Sequence, residues 1–464
     1  MPGVPGLPEA PPFALRARVL SPLRSGGFLD ETDGVVEVGS GGHLTFVGPA
    51  SGWPGNGSGT RVVDVRPLVL LPGLIDLHAH LPQLPISGVG FATGLLSWLG
   101  DLMHPIERGF DEEASRRLSP IYFRQFAAAG TTTACLYSSV DDGATNAAFA
   151  AAEEHGIRIV MGQPLMDRGR YEHDIPDSEV TDVRLREATE TCGRWNGRDG
   201  GRISYAFTPR WALHCSREMM AESARLAKEM GAYWQTHIAE DPDEVVEVAR
   251  EYPEARDFLD VYDRAGGLGP RTILAHAVHL NDREIARIRE SDTRLAHCPS
   301  NVWIGGGMMR LAHYRRLGLT VGLGSDVGGS MGLSLFVAMQ LGAISQNARK
   351  AFLGDMEGDE AGRLRPVEWL RMATLAGAEC LGLEEVTGSV ESGKDADMIL
   401  VDQGLASPVP GESIADVSEA DHLMGRLMFR PHPSMVVAAW VRGHRLEGPS
   451  AGQDAVPSSR EEGS

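Results

Sequence analysis

The sequence predicts an α/β protein: a (β/α)8 TIM-type barrel with a small composite β-sandwich domain built from the N- and C-terminal segments. Three observations carry this expectation. From Leu68 to about Leu381, short apolar runs alternate with helical patterns, which is the signature of βαβ units and a parallel sheet. On either side the texture changes to short β-type runs broken by glycine. The 464 residues also exceed the roughly 250 of one barrel by enough for a second, smaller unit.

Residues 1–12 are rich in proline and glycine and read as a flexible tail. Residues 13–67 supply the first part of the sandwich through FALRARVL, GVVEVG, HLTFVG and RVVDV. The barrel spans 68–386, with strands expected at 69–76, 132–138, 157–163, 203–208, 232–238, 271–275, 293–297 and 319–324. Eight strands with intervening helices make closure more economical than an open sheet. Residues 387–448 return to short strands, at 388–402 and 434–447, and complete the sandwich. Neither terminal segment alone offers enough strands for a stable sheet, so the two are expected to join. Residues 449–464 read as a second flexible tail.

Composition narrows the function. A net charge of −20 speaks against a nucleic-acid partner, which needs a basic face. The five cysteines are scattered, without a C-x-x-C pair, which suits a reducing compartment and gives no thiolate metal site. The N-terminus lacks the basic and apolar regions of a signal peptide, and no run approaches the ~20 apolar residues of a membrane span. A cytoplasmic protein with no membrane partner is expected.

The first barrel strand ends in Asp76-Leu77-His78-Ala79-His80. Residues i and i+2 of a strand face the same way, so both imidazoles point into the barrel mouth and can share one transition metal. A lone H-x-H recurs by chance, and its weight comes from position, since barrel function lies at the C-terminal strand ends. The fifth strand ends in Thr236-His237-Ile238-Ala239-Glu240, the sixth in Ala275-His276 and the eighth in Gly324-Ser325-Asp326. Any one of these is an ordinary polar cap; four in register point to a metal. The three lysines, Lys228, Lys350 and Lys394, avoid the strand ends, and the fourth strand runs into Thr208-Pro209-Arg210, so no residue stands ready to bridge a second ion. One metal is expected.

PGLIDLHAH, THIAE, AHAVHL and GLGSD together resemble the amidohydrolase superfamily over essentially the whole chain. Within it the pattern is most similar to the guanine deaminases: Gln83 three residues past His80, Gly130-Thr131-Thr132-Thr133, Thr208-Pro209-Arg210-Trp211-Ala212-Leu213, Gln235-Thr236-His237, and Gly324 to Gly329. Departures occur near the pocket. Trp211 stands where a phenylalanine is usual, Ser325-Asp326-Val327-Gly328 replaces T-D-V-A, Cys298-Pro299-Ser300-Asn301 is a residue short, and His104 precedes Pro105 where an aromatic is common.

The resemblance implies one divalent metal, zinc or else iron, held by His78, His80, His237 and Asp326. It implies catalytic roles for Asp326 and for Glu240 as proton shuttle. His276 either hydrogen-bonds the nucleophile or is a further ligand. Gln83 and Arg210 would hold a purine, with Trp211 stacking on the base or packing behind it. His279 is expected to be structural, and His104 is either structural or lines the pocket. The implied reaction is guanine and water to xanthine and ammonia, by a homodimer. Alternatives are another amino- or halo-heterocycle (8-oxoguanine, a pterin, an adenosine derivative or a triazine), ring opening of a cyclic amide or imidazolone, or a non-catalytic scaffold. The unrelated zinc-deaminase signature, H-x-E with P-C-x-x-C, is absent.

Overall fold

The computed structural model describes residues 6–57, 60–90, 94–353, 364–409 and 418–449. Eight parallel strands form the barrel: β5 (Leu74–His80), β6 (Thr131–Tyr137), β7 (Arg158–Gly162), β8 (Ile203–Pro209), β9 (Tyr233–Ile238), β10 (Thr272–His276), β11 (Arg294–His297) and β12 (Val321–Leu323). Each pairs with its sequence neighbour, as successive right-handed βαβ crossovers require. Closure comes just beyond β12, where the Asp326 amide donates to the His78 carbonyl at 2.8 Å and the His80 amide to Val327 at 2.7 Å. Every residue of β5 and β6 is buried, because helices cover the outside and Ile75, Leu77, Cys135, Val160 and Ile273 fill the inside.

The helices begin where side chains can satisfy their free amides. Asp141 accepts from Ala144, Ser216 from Met219, and Asp241 and Asn281 form capping boxes with Glu244 and Glu284. Two of these helices directly follow site strands, so the caps also fix the exit of the chain from the barrel rim.

The terminal segments build a seven-stranded mixed sheet from β1 (Phe13–Pro22), β2 (Phe28–Val38), β3 (Leu44–Pro49), β4 (Val62–Pro72), β13 (Met398–Val401), β14 (Val436–Val441) and β15 (His444–Arg445). Its order is β15-β14-β13-β4-β1-β2-β3, and one face gathers a separate apolar core around Phe13, Leu15, Met398 and Trp440. The two ends of the chain meet where β4 pairs with β13. Arg158 of β7, buried in the barrel, binds Asp395 and Asp397 just before β13, and Arg442 after β14 also reaches Asp395.

Two expectations are corrected. The apolar run at 69–76 is divided rather than one strand: Val69–Pro72 pair with Met398–Val401 in the terminal sheet, and the barrel strand starts at Leu74. Residues 6–12 are not a loose tail, because Leu7 is buried, Trp440 donates to the Pro8 carbonyl at 3.0 Å and Arg445 to that of Glu9. The remainder of both tails, 1–5 and 450–464, lies outside the described residues.

Candidate active site

Backbone geometry at the C-terminal rim is unusual. Ala239, His276, Ala277 and Asp326 all take positive φ, at 47°, 74°, 52° and 56°. Such conformations cost on the order of 1–3 kcal/mol each in a non-glycine residue and persist only where the surroundings impose them. They lie at or just beyond the ends of β9, β10 and β12, where Glu240, His276 and Asp326 come together. Gly324 permits the close approach on the same side: a Cβ there would lie 2.8 Å from the His78 Cβ and 3.1 Å from the Cys298 Sγ.

The side chains converge. His80 Nε2 lies 3.2 Å from both His78 Nε2 and His237 Nε2. Asp326 Oδ1 is 3.4 Å from His78 Nε2 and 3.8 Å from His80 Nε2. His276 Nε2 faces Glu240 Oε2 at 3.5 Å. The structure thus brings together His78, His80, His237 and Asp326, with Glu240 and His276 beside them, and all six are buried.

The donor set suits a cation. His237 Nδ1 donates to the Arg210 carbonyl at 2.6 Å, so in a neutral ring Nε2 is a bare lone pair. It faces His80 Nε2 at 3.2 Å, which itself lies 3.2 Å from His78 Nε2. Burial drives all three rings toward the neutral form, well below the ordinary histidine value, so protonation does not relieve the crowding. Three nitrogens each 2.0–2.1 Å from a tetrahedral zinc stand about 3.3 Å apart. The 3.2 Å spacings of His80 to His78 and to His237 fit such an ion, and the Asp326 carboxylate, 3.4 Å from His78 Nε2, offers an oxygen donor beside them.

Several groups hold these side chains in place, and the sequence did not single them out. Asn301 Oδ1 accepts from His276 Nδ1 at 2.6 Å while its Nδ2 donates to the Glu240 carbonyl at 3.0 Å, so one amide fixes both residues. His276 Nε2 is consequently left as an acceptor with no hydrogen-bond partner among the described residues. Ser300 donates to Asp326 Oδ2 at 3.1 Å. Asp76 accepts from the amides of His78 and Ser325, and burial pushes its carboxyl up to about 7. Tyr137 packs within 5.0 Å of the His78, His80 and His237 rings. Ser300 and Asn301 stood in the sequence only as a shortened loop. Their signal is their position directly after β11, at the C-terminal rim where barrel function lies.

A pocket opens over this cluster, lined by His80, Gln83, Trp98, Arg210, Trp211, Glu240 and Ile304 among others. Gln83 Oε1 accepts from the Gly328 amide at 3.2 Å, and its Nε2 donates to Glu107 Oε1 at 2.6 Å. Arg210 forms a fully buried ion pair with Glu107. Burial alone pushes the Glu107 carboxyl up, but Arg210, Gln83 and Tyr171 together hold it below the usual carboxylate range. Glu107 was missed because its partners come from 24 and 103 residues away. Trp211 packs with Leu95 and Ile304 and meets His214 edge-on at 5.0 Å. His104 stands off the pocket, 4.9 Å from the Tyr171 ring, and His279 bonds the Gly306 carbonyl.

The chain matches the Amidohydrolase family over residues 69–444. It is 36% identical over 361 residues to the "Probable guanine deaminase" of Deinococcus radiodurans, covering 77% of this chain and 78% of that one. It is 33% identical over 345 residues to the "Guanine deaminase" of Escherichia coli, covering 74% and 75%. Among solved structures, "E. coli Guanine Deaminase" superposes with a TM-score of 0.84 at 28% identity, over 94% of this chain and all of that one. A barrel that gathers three imidazoles and an aspartate at its C-terminal rim, joined to a split terminal sheet, is matched along most of its length, and the protein belongs to the amidohydrolase family.

Proposed function

We propose that the protein is a guanine deaminase, a cytoplasmic homodimer converting guanine and water to xanthine and ammonia with one zinc ion per chain. The observation that carries this reading is the pairing of a cation-ready cluster (His78, His80, His237, Asp326) with a wall of Gln83 and Arg210 in the same pocket. Relatives named guanine deaminase at 33% and 36% identity support the substrate. The three-nitrogen, one-oxygen donor set favours zinc over iron. Cys135, Cys192, Cys215, Cys298 and Cys380 are all buried free thiols, which supports a reducing location. Among the described residues, no helix is long and apolar enough to cross a membrane.

A divalent cation bound there supplies hydroxide at neutral pH by lowering the pKa of water from about 15.7 toward 7. The protein's own groups do the rest. Arg210 presents guanidinium donors, and Gln83 an amide, to the purine carbonyl and its neighbouring nitrogens. Asp326, with burial raising its carboxyl above the ordinary range, orients the attacking water and accepts its proton. Burial, reinforced by Asp326, likewise raises Glu240 far above the usual carboxylate value, which suits a group that must donate as well as accept. Glu240 carries the proton to the ring nitrogen beside the attacked carbon and then to the departing amine. His276 Nε2, held open as an acceptor by Asn301, receives a hydrogen bond from the nucleophile and steadies it during attack.

The test is turnover of guanine by the purified zinc-loaded protein, followed by ammonia release and xanthine absorbance, beside 8-oxoguanine, a pterin, adenosine and a triazine. Guanine should give the highest kcat/KM. Turnover of another member of the panel with none of guanine refutes the substrate, and product without ammonia refutes deamination. Sedimentation of the same sample checks the dimer.

A further inference from the structure

The Gln83–Glu107–Arg210 triad assigns a function to a residue outside the catalytic set. We propose that Glu107 is the positioning and specificity-determining residue of the recognition wall, keeping that wall electrically neutral so that it accepts an uncharged lactam base and releases a more acidic product. This inference rests on the guanine deaminase reading and deepens it.

Glu107 lies on the short helix His104–Arg108, Gln83 on the turn Leu81–Ile86 after β5, and Arg210 at the end of β8. Three separate elements meet at one buried carboxylate. One oxygen takes the Gln83 amide at 2.6 Å and the other takes the Arg210 guanidinium. Gln83 Oε1 in turn accepts from Gly328, two residues past Asp326, so the same chain of bonds ties the wall to the loop bearing the metal-site aspartate. That pattern also settles which end of the Gln83 amide is nitrogen.

The charge argument follows from burial. Arg210 is always protonated, and both partners of its ion pair are almost fully buried. An unpaired guanidinium there would attract any anion that fits, because Coulomb attraction strengthens as water is excluded. Glu107 cancels that charge through Nη1 alone, and among the described residues the other N–H groups of the fork make no hydrogen bond. Exchanging the amidine amino group for a carbonyl turns the adjacent ring N–H into an imide, so xanthine ionises more readily than guanine. A cationic wall would therefore hold the product anion, whereas a neutral wall lets it go.

The experiment compares wild type, Glu107→Gln and Glu107→Asp as zinc-loaded enzymes, measuring kcat and KM for guanine and the inhibition constant of xanthine between pH 6.5 and 9. Glu107→Gln removes the charge. It should raise KM by ~10-fold or more with a much smaller change in kcat, the signature of lost uniform binding. The ratio of the xanthine inhibition constant to KM should fall ~10-fold, and fall further as pH rises. Glu107→Asp retains the charge but draws the carboxylate back by one methylene. It should raise KM by ~3–10-fold while leaving the xanthine ratio and its pH dependence at wild-type values. Should Glu107→Gln fail to fold around an unpaired arginine, the Glu107→Asp split between KM and the xanthine ratio decides alone. Unchanged KM in whichever variants fold, or a pH-independent xanthine ratio in Glu107→Gln, overturns the proposal while wild-type turnover stands. A wild type that does not deaminate guanine overturns the parent reading and this inference together.

Discussion

Replacing Glu240 by glutamine separates a proton shuttle from a metal ligand. The side chain is buried, and its Oε2 lies 3.5 Å from His276 Nε2, beyond a normal hydrogen bond. The residue is held mainly by its backbone: its amide donates to Glu244 at 2.7 Å, and its carbonyl accepts from Asn301 at 3.0 Å. Glutamine matches glutamate in volume and leaves both bonds intact, so the fold and the His78–His80–His237–Asp326 cluster should be undisturbed. What disappears is the exchangeable proton. Positioned acid–base groups contribute typically 10²–10⁴-fold, and each decade corresponds to 1.36 kcal/mol. The expected loss in kcat is therefore about 10²–10⁴-fold, or roughly 3–5 kcal/mol of transition-state stabilisation, with KM changed by less than ~3-fold. The assay is steady-state ammonia release on protein whose zinc content is measured in parallel by elemental analysis. Full zinc occupancy with collapsed kcat is the expected result. A variant that loses its zinc places Glu240 among the ligands, and one that retains kcat removes it from the proton path; either refutes the reasoning.

Three further outcomes follow from the same geometry. Asn301→Ala frees both His276 and the Glu240 carbonyl, so kcat should drop ~10–100-fold with zinc retained, as for other outer-shell partners; unchanged turnover refutes the positioning role. Stripping the metal with a chelator should lower Tm by the binding free energy it withdraws, about 4 kcal/mol if zinc was present at a thousand times its Kd, and calorimetry with zinc added back should restore it. Burial holds His297 at about 3 against an ordinary 6.5, with neither ring nitrogen hydrogen-bonded among the described residues. The unfolded chain thus binds a proton that the folded one excludes, and this contribution is fully present above pH 6.5 and is lost as pH falls toward 3. Wild type should therefore lose stability relative to His297→Phe by about 1.4 kcal/mol per pH unit below 6, read from urea unfolding; a constant difference contradicts it.

Parts of the site were legible because they are local. His78 and His80 share a face by strand periodicity alone, and His237, His276 and Asp326 stand at the ends of apolar runs whose C-termini any parallel barrel gathers at one rim. Glu107, Asn301 and Ser300 carry no such periodic mark. Their importance lies in which atoms they touch, and those partners are set by how a short helix and the loop after β11 settle over the barrel mouth. The apolar run from Val69 shows the same divide within the fold: its burial was readable, but whether residues 69–72 belong to the barrel or to the terminal sheet depended on a partner strand more than 300 residues away.

The sequence by itself determined the barrel, the composite terminal sheet and the cluster of metal-type donors, since periodicity and strand-end chemistry are properties of neighbouring residues. Only the tertiary structure decided that Arg210 is neutralised by Glu107, that His276 is aimed by Asn301, and that residues 6–12 are fastened under Trp440. The physical reason is that buried polar groups must find partners, and the identity of each partner is a fact of three-dimensional packing that linear order does not encode.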